Sequence, residues 1–191
     1  MKVVAFNASP HKKGNTYHLL RAACDELEQE GIETEIVHIG GTRVNGCIAC
    51  NRCFETRDKR CILDDDPVNE WMAKMFAADG ILIGSPTYFA DVSTETKALI
   101  DRAGYVSMAN GGLLRRKAGA AVVAVRRAGA IHAYDTINHL FGISEMVTVG
   151  STYWNIGVGL APGDVDSDEE GIVTMENLGR NMAWLLKKLQ E

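Results

Sequence analysis

The feature that most constrains this chain is the alternation of short apolar runs with helical stripes. KVVAFN at Lys2–Asn7, TEIVHI at Thr34–Ile39, GILIG at Gly80–Gly84, AGAAVVAV at Ala118–Val125 and MVTV at Met146–Val149 read as strands. Between them lie amphipathic patterns. Asn15 and Thr16 are placed to cap a first helix with the stripe Leu19, Leu20, Ala23 and Leu27, which Gly31 ends. Further helices run through Trp71, Met72, Met75 and Phe76, through Leu99, Ile100 and Ala103, and over Ala133–Phe141. A closing helix carries Ile172, Met175, Leu178, Met182, Leu185, Leu186 and Leu189, with Glu169-Glu170 before it and Lys187-Lys188 at its end to complement its dipole.

This order predicts an α/β protein: one open, five-stranded parallel sheet with helices on both faces. Runs as apolar as GILIG are buried on both faces, as central parallel strands are. The 191 residues fit one domain, 1–191, with a cysteine-rich insertion at 46–62. In such sheets ligands sit outside the carboxyl ends of the strands, where strand order reverses.

Net charge of −5 offers no basic footprint for nucleic acid or an anionic membrane. No apolar run reaches the roughly 18 residues of a spanning helix. MKVVAFNASP is interrupted too soon by Pro10 and His11-Lys12-Lys13 for a signal peptide. The expectation is a cytoplasmic protein, in which five cysteines read as metal or redox ligands before they read as disulfides.

Three loops leave carboxyl ends of predicted strands. SPHKKGNT, at Ser9–Thr16, sets hydroxyls, an amide and basic side chains before a helix N-terminus, a combination suited to a phosphate dianion. It lacks both G-x-x-x-x-G-K-[ST] and G-x-G-x-x-G, which favours a single phosphomonoester. GSPTYF, at Gly84–Phe89, offers Thr87 to a heterocycle edge and Tyr88 or Phe89 to a ring face. RRAGA, at Arg126–Ala130, brings arginines and a close-approach glycine. Taken singly, these also read as a capped turn, two locally packed aromatics and two solvated arginines. Together they describe a pocket for a phosphate at one end and a planar ring at the other, the shape of FMN.

Four cysteines, Cys47, Cys50, Cys53 and Cys61, follow the spacing C-x2-C-x2-C-x7-C. The first three match the wrap around one [4Fe–4S] cluster, with a fourth ligand after a short loop. Structural zinc more often uses two separated C-x2-C knuckles. Cluster, zinc, free thiols and a redox disulfide all stand open on spacing alone. Cys24 reads as a small buried hydrophobe. Asp64-Asp65-Asp66 reads as an acidic run before a helix, and His132 with His139 shares a helix face without a third ligand. Tyr153-Trp154-Asn155, in the long Gly150–Glu170 loop, is expected to cover a bound ring, to complete a neighbouring subunit's pocket or to pack locally.

On VVAFNASPHKKGNT, the cysteine run continuing into CILDDD, AADGILIGSPTYFADVSTETKALIDR, GAAVVAVRRAG and MVTVGSTYWNIG, the chain resembles the NAD(P)H-dependent FMN reductases of the flavodoxin-like superfamily. Within them it is similar to the iron–sulfur flavoproteins. The resemblance implies a flavodoxin-like three-layer sandwich with strand order 2-1-3-4-5. It assigns Ser9, His11, Lys13, Asn15 and Thr16 to the FMN phosphate, with His11 standing where the family commonly has Arg. It further assigns Pro86, Thr87, Tyr88 and Phe89 to the isoalloxazine border, and Arg126, Arg127 and Gly129 to the pyrimidine side. A [4Fe–4S] cluster on the four cysteines, NAD(P)H as co-substrate, a ferredoxin-like partner and a homodimer or homotetramer are implied in the same way. The functions considered are an NAD(P)H:acceptor oxidoreductase, an electron carrier without a small substrate, and a thiol- or zinc-based interaction protein.

Overall fold

Eight consecutive residues, Ala118–Val125, are withdrawn from solvent, and this strand anchors the sheet. The computed structural model describes residues 1–190. The elements run β1 (Lys2–Asn7), α1 (Asn15–Gln29), β2 (Glu33–His38), α2 (Arg52–Thr56), α3 (Val68–Ala77), β3 (Gly80–Pro86), α4 (Thr94–Ala109), β4 (Ala118–Val125), α5 (Ala130–Ile143), β5 (Val147–Thr148), β6 (Ile156–Val158) and α6 (Glu169–Lys188). All strand pairings are parallel, in the order β2-β1-β3-β4-β5, the flavodoxin-like order 2-1-3-4-5.

The period-two alternation of side chains divides the core into two layers. Val3, Ala5, Leu82 and Val122 face Leu19, Leu20 and Leu27 of α1 and Met175, Leu178 and Met182 of α6. Val4, Phe6, Ile81, Ile83 and Val123 face Trp71, Met72 and Met75 of α3, Leu99 of α4, and Ile137 and Phe141 of α5. The stripes expected of these helices are thus the faces they bury, except that Leu189 lies past the end of α6 and is exposed.

Several boundaries and one count differ from expectation: β2 is Glu33–His38, β3 runs on to Pro86 and β5 is only Val147–Thr148. The fifth helix extends to Ala130–Ile143, because Gly129 (φ +90) turns the chain straight into it. The sheet has six strands rather than five, since β6 lies inside the stretch expected to be a long loop. β5 pairs with the start of β4 (Ala118↔Val147, Gly119↔Thr148), leaves, and returns as β6 beside its end (Val123↔Ile156, Val125↔Val158). Asn155, wholly buried, bridges the gap: its Nδ2 donates to the Ala121 carbonyl at 3.0 Å, and its own carbonyl accepts from Val123 N–H at 2.9 Å. Among the described residues no helix is long and apolar enough to cross a membrane.

Candidate flavin and cysteine sites

The first loop is organised by a residue that sequence reasoning left in the strand. Asn7, buried at the carboxyl end of β1, accepts from Ser9 N–H through Oδ1 at 3.1 Å and donates from Nδ2 to the Lys12 carbonyl at 3.1 Å. Ser9 Oγ then accepts from His11 N–H at 3.2 Å. This folds the loop back upon itself and delivers the chain into α1. Gly14 sits at the cap with no side-chain cap bond, so the capping expected of Asn15 and Thr16 is not what they do. Asn15 Oδ1 instead accepts from Gly163 N–H at 2.8 Å and tethers the segment after β6 to the helix start. The first amides of α1 have no carbonyl partner within the helix, leaving its positive end open to an anion.

The second loop holds its shape by paired backbone bonds. Thr87 N–H and Oγ1 both donate to the Ala124 carbonyl, at 2.9 and 3.1 Å. Tyr88 and Asp91 exchange backbone bonds across a two-residue turn, Phe89 (φ +46) and Ala90 (φ +67). Both turn residues are left-handed without being glycine, a strained geometry that puts the Phe89 ring in solvent. Gly129 is needed here, because a Cβ on it would stand 3.2 Å from Ala90. Burial pushes the Tyr88 phenol up, and the Glu95 carboxylate adds to it.

These loops meet at the carboxyl end of the sheet around an open cleft of about 270 Å³. Ser9, His11, Asn15, Thr16, Pro86, Thr87, Tyr88 and Arg126 line it; of the predicted cofactor residues, Lys13, Phe89, Arg127 and Gly129 do not. Gly159, Leu160 and Pro162 complete the wall from the segment after β6. No sequence pattern marked them, since they become neighbours of Ser9 only when β6 pairs with β4. Gly159 is close-packed: a Cβ there would lie 2.9 Å from Asn15 Nδ2 and 2.8 Å from Val165 N. Trp154 packs against Tyr153 and Tyr134 at centroid distances of 6.2 and 5.8 Å, outside this wall. The cleft fits a phosphorylated planar group: hydroxyls and helix amides at one end, Thr87, Tyr88 and an arginine at the other.

A larger groove of about 950 Å³ runs between α4 and α5, past Tyr105, Met108, Leu140 and Ile143. It lies along helix flanks rather than at strand ends, so the smaller cleft is the candidate cofactor site.

Cys47, Cys50, Cys53 and Cys61 all line one cavity of about 20 Å³, together with Ile48, Ile62, Arg102 and Tyr105. The loop that carries them is strained, with Ala49, Asn51, Arg57 and Lys59 at positive φ. α2, five residues long, is set between two of these turns. Buried Asn69 clamps the last cysteine, accepting from Cys61 N–H at 2.8 Å and donating to the carbonyls of Cys61 and Leu63 at 2.9 and 3.0 Å. Burial raises the Cys53 thiol pKa, and neighbouring Cys61 and Cys47 add to the effect. Among the described residues no three His, Cys, Asp or Glu converge as a single metal ion requires. Four thiols lining one largely apolar cavity are the kind of donor set that an iron–sulfur cluster takes. His132 pairs with Asp91 at 3.4 Å, and His139 lines the α4–α5 groove.

Asp66 is removed from the expected helix-opening role in part. It accepts from Val68 N–H at 3.1 Å, but its main partner is Arg102, whose Nη1 donates to both carboxylate oxygens at 2.7 Å.

Residues 1–161 match the NADPH-dependent FMN reductase family. The chain belongs to that family. As an FMN reductase-like oxidoreductase it is 39% identical over 198 residues to an iron–sulfur flavoprotein of Methanocaldococcus jannaschii, covering 100% of both chains. It is 31% identical over 194 residues to an iron–sulfur flavoprotein of Methanosarcina thermophila, covering 100% of this chain and 98% of that one. The NAD(P)H:quinone oxidoreductase of Methanothermobacter marburgensis superposes with a TM-score of 0.71 at 18% identity, over 95% of this chain and 96% of that one. That likeness is one of fold.

Proposed function

We propose that this protein binds FMN in the strand-end cleft and passes electrons from NAD(P)H, or from a ferredoxin-like donor, toward an acceptor through a [4Fe–4S] cluster on Cys47, Cys50, Cys53 and Cys61. The observation that carries the reading is the meeting of the three loops in one cleft with a phosphate-suited end and a ring-suited end. Bound FMN supplies the redox chemistry, accepting two electrons and releasing them singly.

The chain's own residues bind and orient. Ser9, His11 and the amides opening α1 at Asn15 and Thr16 hold the phosphate. Pro86, Thr87 and Tyr88 border the ring, and Arg126 offers positive charge where reduction adds negative charge. No side chain is asked to act as a nucleophile. The open cleft leaves a ring face on which a nicotinamide can stack. Four thiols gathered at one apolar cavity support the cluster, as does the shared name of two relatives that align along the whole chain. A homodimer or homotetramer in the cytoplasm is the setting we propose.

Anaerobic purification with iron, sulfide and flavin analysis tests the cofactor set. Stopped-flow mixing with NADH and NADPH tests the donor. Rapid flavin bleaching by a dinucleotide, with four irons per chain, is the expected result. Full flavin loading with no iron leaves a reductase with free thiols; no bleaching by either dinucleotide, with fast reduction by ferredoxin, leaves an electron carrier.

A further inference from the structure

Arg102 is one of the largest side chains wholly withdrawn from solvent. Both of its terminal nitrogens have acceptors. Nη1 donates to Asp66 at 2.7 Å and to the Asn45 carbonyl at 3.3 Å, and Nη2 donates to the Leu63 carbonyl at 2.5 Å. Its Nε, equally buried, has no hydrogen-bond partner. A buried donor left unspent is uncommon in a native fold and calls for a cause.

The cause lies in what surrounds it. Arg102 lines the cavity shared by Cys47, Cys50, Cys53 and Cys61, and it is the one charged side chain among the described residues that do so. α4 presents Arg102, Tyr105 and Val106 to that wall at i, i+3 and i+4, a single helix face. Asp66 and the Leu63 carbonyl hold the far edge of the guanidinium. Nε is the one guanidinium nitrogen with no acceptor, on a side chain that lines the cavity.

We propose that Arg102 Nε–H donates a hydrogen bond to a sulfur of the bound [4Fe–4S] cluster and raises the cluster's reduction potential. The inference rests on the cluster reading above. Cluster sulfurs carry negative charge that grows when one electron is added, so a directed donor stabilises the reduced form more than the oxidised one. Asp66 neutralises the guanidinium charge, which makes the directed bond, rather than net charge, the operative element. The proton stays on Nε throughout, because arginine keeps its proton in proteins. The electron enters the cluster, and Arg102 is neither oxidised nor reduced. Arg102 is therefore a positioning and tuning residue.

The test uses the full chain, purified anaerobically and first analysed for iron and acid-labile sulfide. Protein labelled with ¹⁵N-arginine and reduced with dithionite is expected to show, by pulsed EPR, one ¹⁵N and one exchangeable proton coupled to the cluster. Arg102→Lys keeps the charge and removes Nε–H. The coupling is expected to vanish and the one-electron reduction equilibrium to fall at least tenfold, ~59 mV. A loaded wild-type cluster without nitrogen coupling overturns the proposal, and so does a loaded Arg102→Lys cluster at unchanged potential. Should that variant fail to fold, the wild-type spectrum alone decides. Absence of iron and sulfide overturns both this inference and the cluster reading; a cluster without the coupling overturns this inference only.

Discussion

Asp66 lies under opposing electrostatic demands. Burial raises its carboxyl pKa, but hydrogen bonds from Arg102, Asn45 N–H and Val68 N–H outweigh that and hold it below the ordinary value of 3.8. A carboxyl with a depressed folded pKa binds its proton more tightly when unfolded. The stability it contributes is present above the unfolded value and lost as pH falls through the lower folded one. Asp66→Ala strips the partner from a buried cation and is expected to cost about 3–5 kcal/mol, read as a lowered urea midpoint at neutral pH. The wild type is expected to approach the variant's stability only below the normal carboxylate range. Asn15→Ala removes the tether to Gly163 and is expected to weaken FMN binding roughly tenfold, about 1.4 kcal/mol, by fluorescence titration. Neither role was legible locally. Asp66 reads as one of three helix-leading aspartates, and Arg102 lies 36 residues downstream. Asn15 reads as a cap, while its partner lies 148 residues away.

At the scale of elements, the helices and central strands were readable because burial on one face or two imposes a period. β6 was not. It has three residues, one of them Gly157, with Ile156 and Val158 only partly covered, so it carries no alternation to detect. Its place is fixed by long-range pairing and by Asn155, whose buried amide completes the hydrogen bonding of β4. Asn155→Ala leaves the Ala121 carbonyl unpartnered and is expected to destabilise the fold by about 1–3 kcal/mol. Amide hydrogen exchange is expected to accelerate at Ile156–Val158 and Gly159 more than at β1 or β3. Equal acceleration everywhere would mean that Asn155 supports the whole sheet rather than this edge. Since Gly159, Leu160 and Pro162 wall the cleft, the same variant is expected to lose FMN affinity as well.

At the scale of the molecule, the sheet order brings β1, β3 and β4 side by side, so that the loops after all three open on one cleft. This was legible because each strand end announced itself by a change from apolar to polar residues. Which side chains point inward was less so: Phe89 is thrown outward by its strained turn, and Arg126 rather than Arg127 reaches the wall. The cysteine run gathers at a separate cavity on the α4 side, where Arg102 and Asn69 brace it. Cys50→Ser is expected to lower bound iron below four per chain while leaving FMN binding intact, which iron analysis and flavin titration together check. Titrating flavin-free protein with FMN and with riboflavin reads what the phosphate contributes to binding in the strand-end cleft. One FMN is expected to bind per chain, at least ~100-fold tighter than riboflavin, with about 2.7 kcal/mol attributable to the phosphate. Equal affinity for the two flavins, or no stoichiometric FMN binding, would contradict this reading.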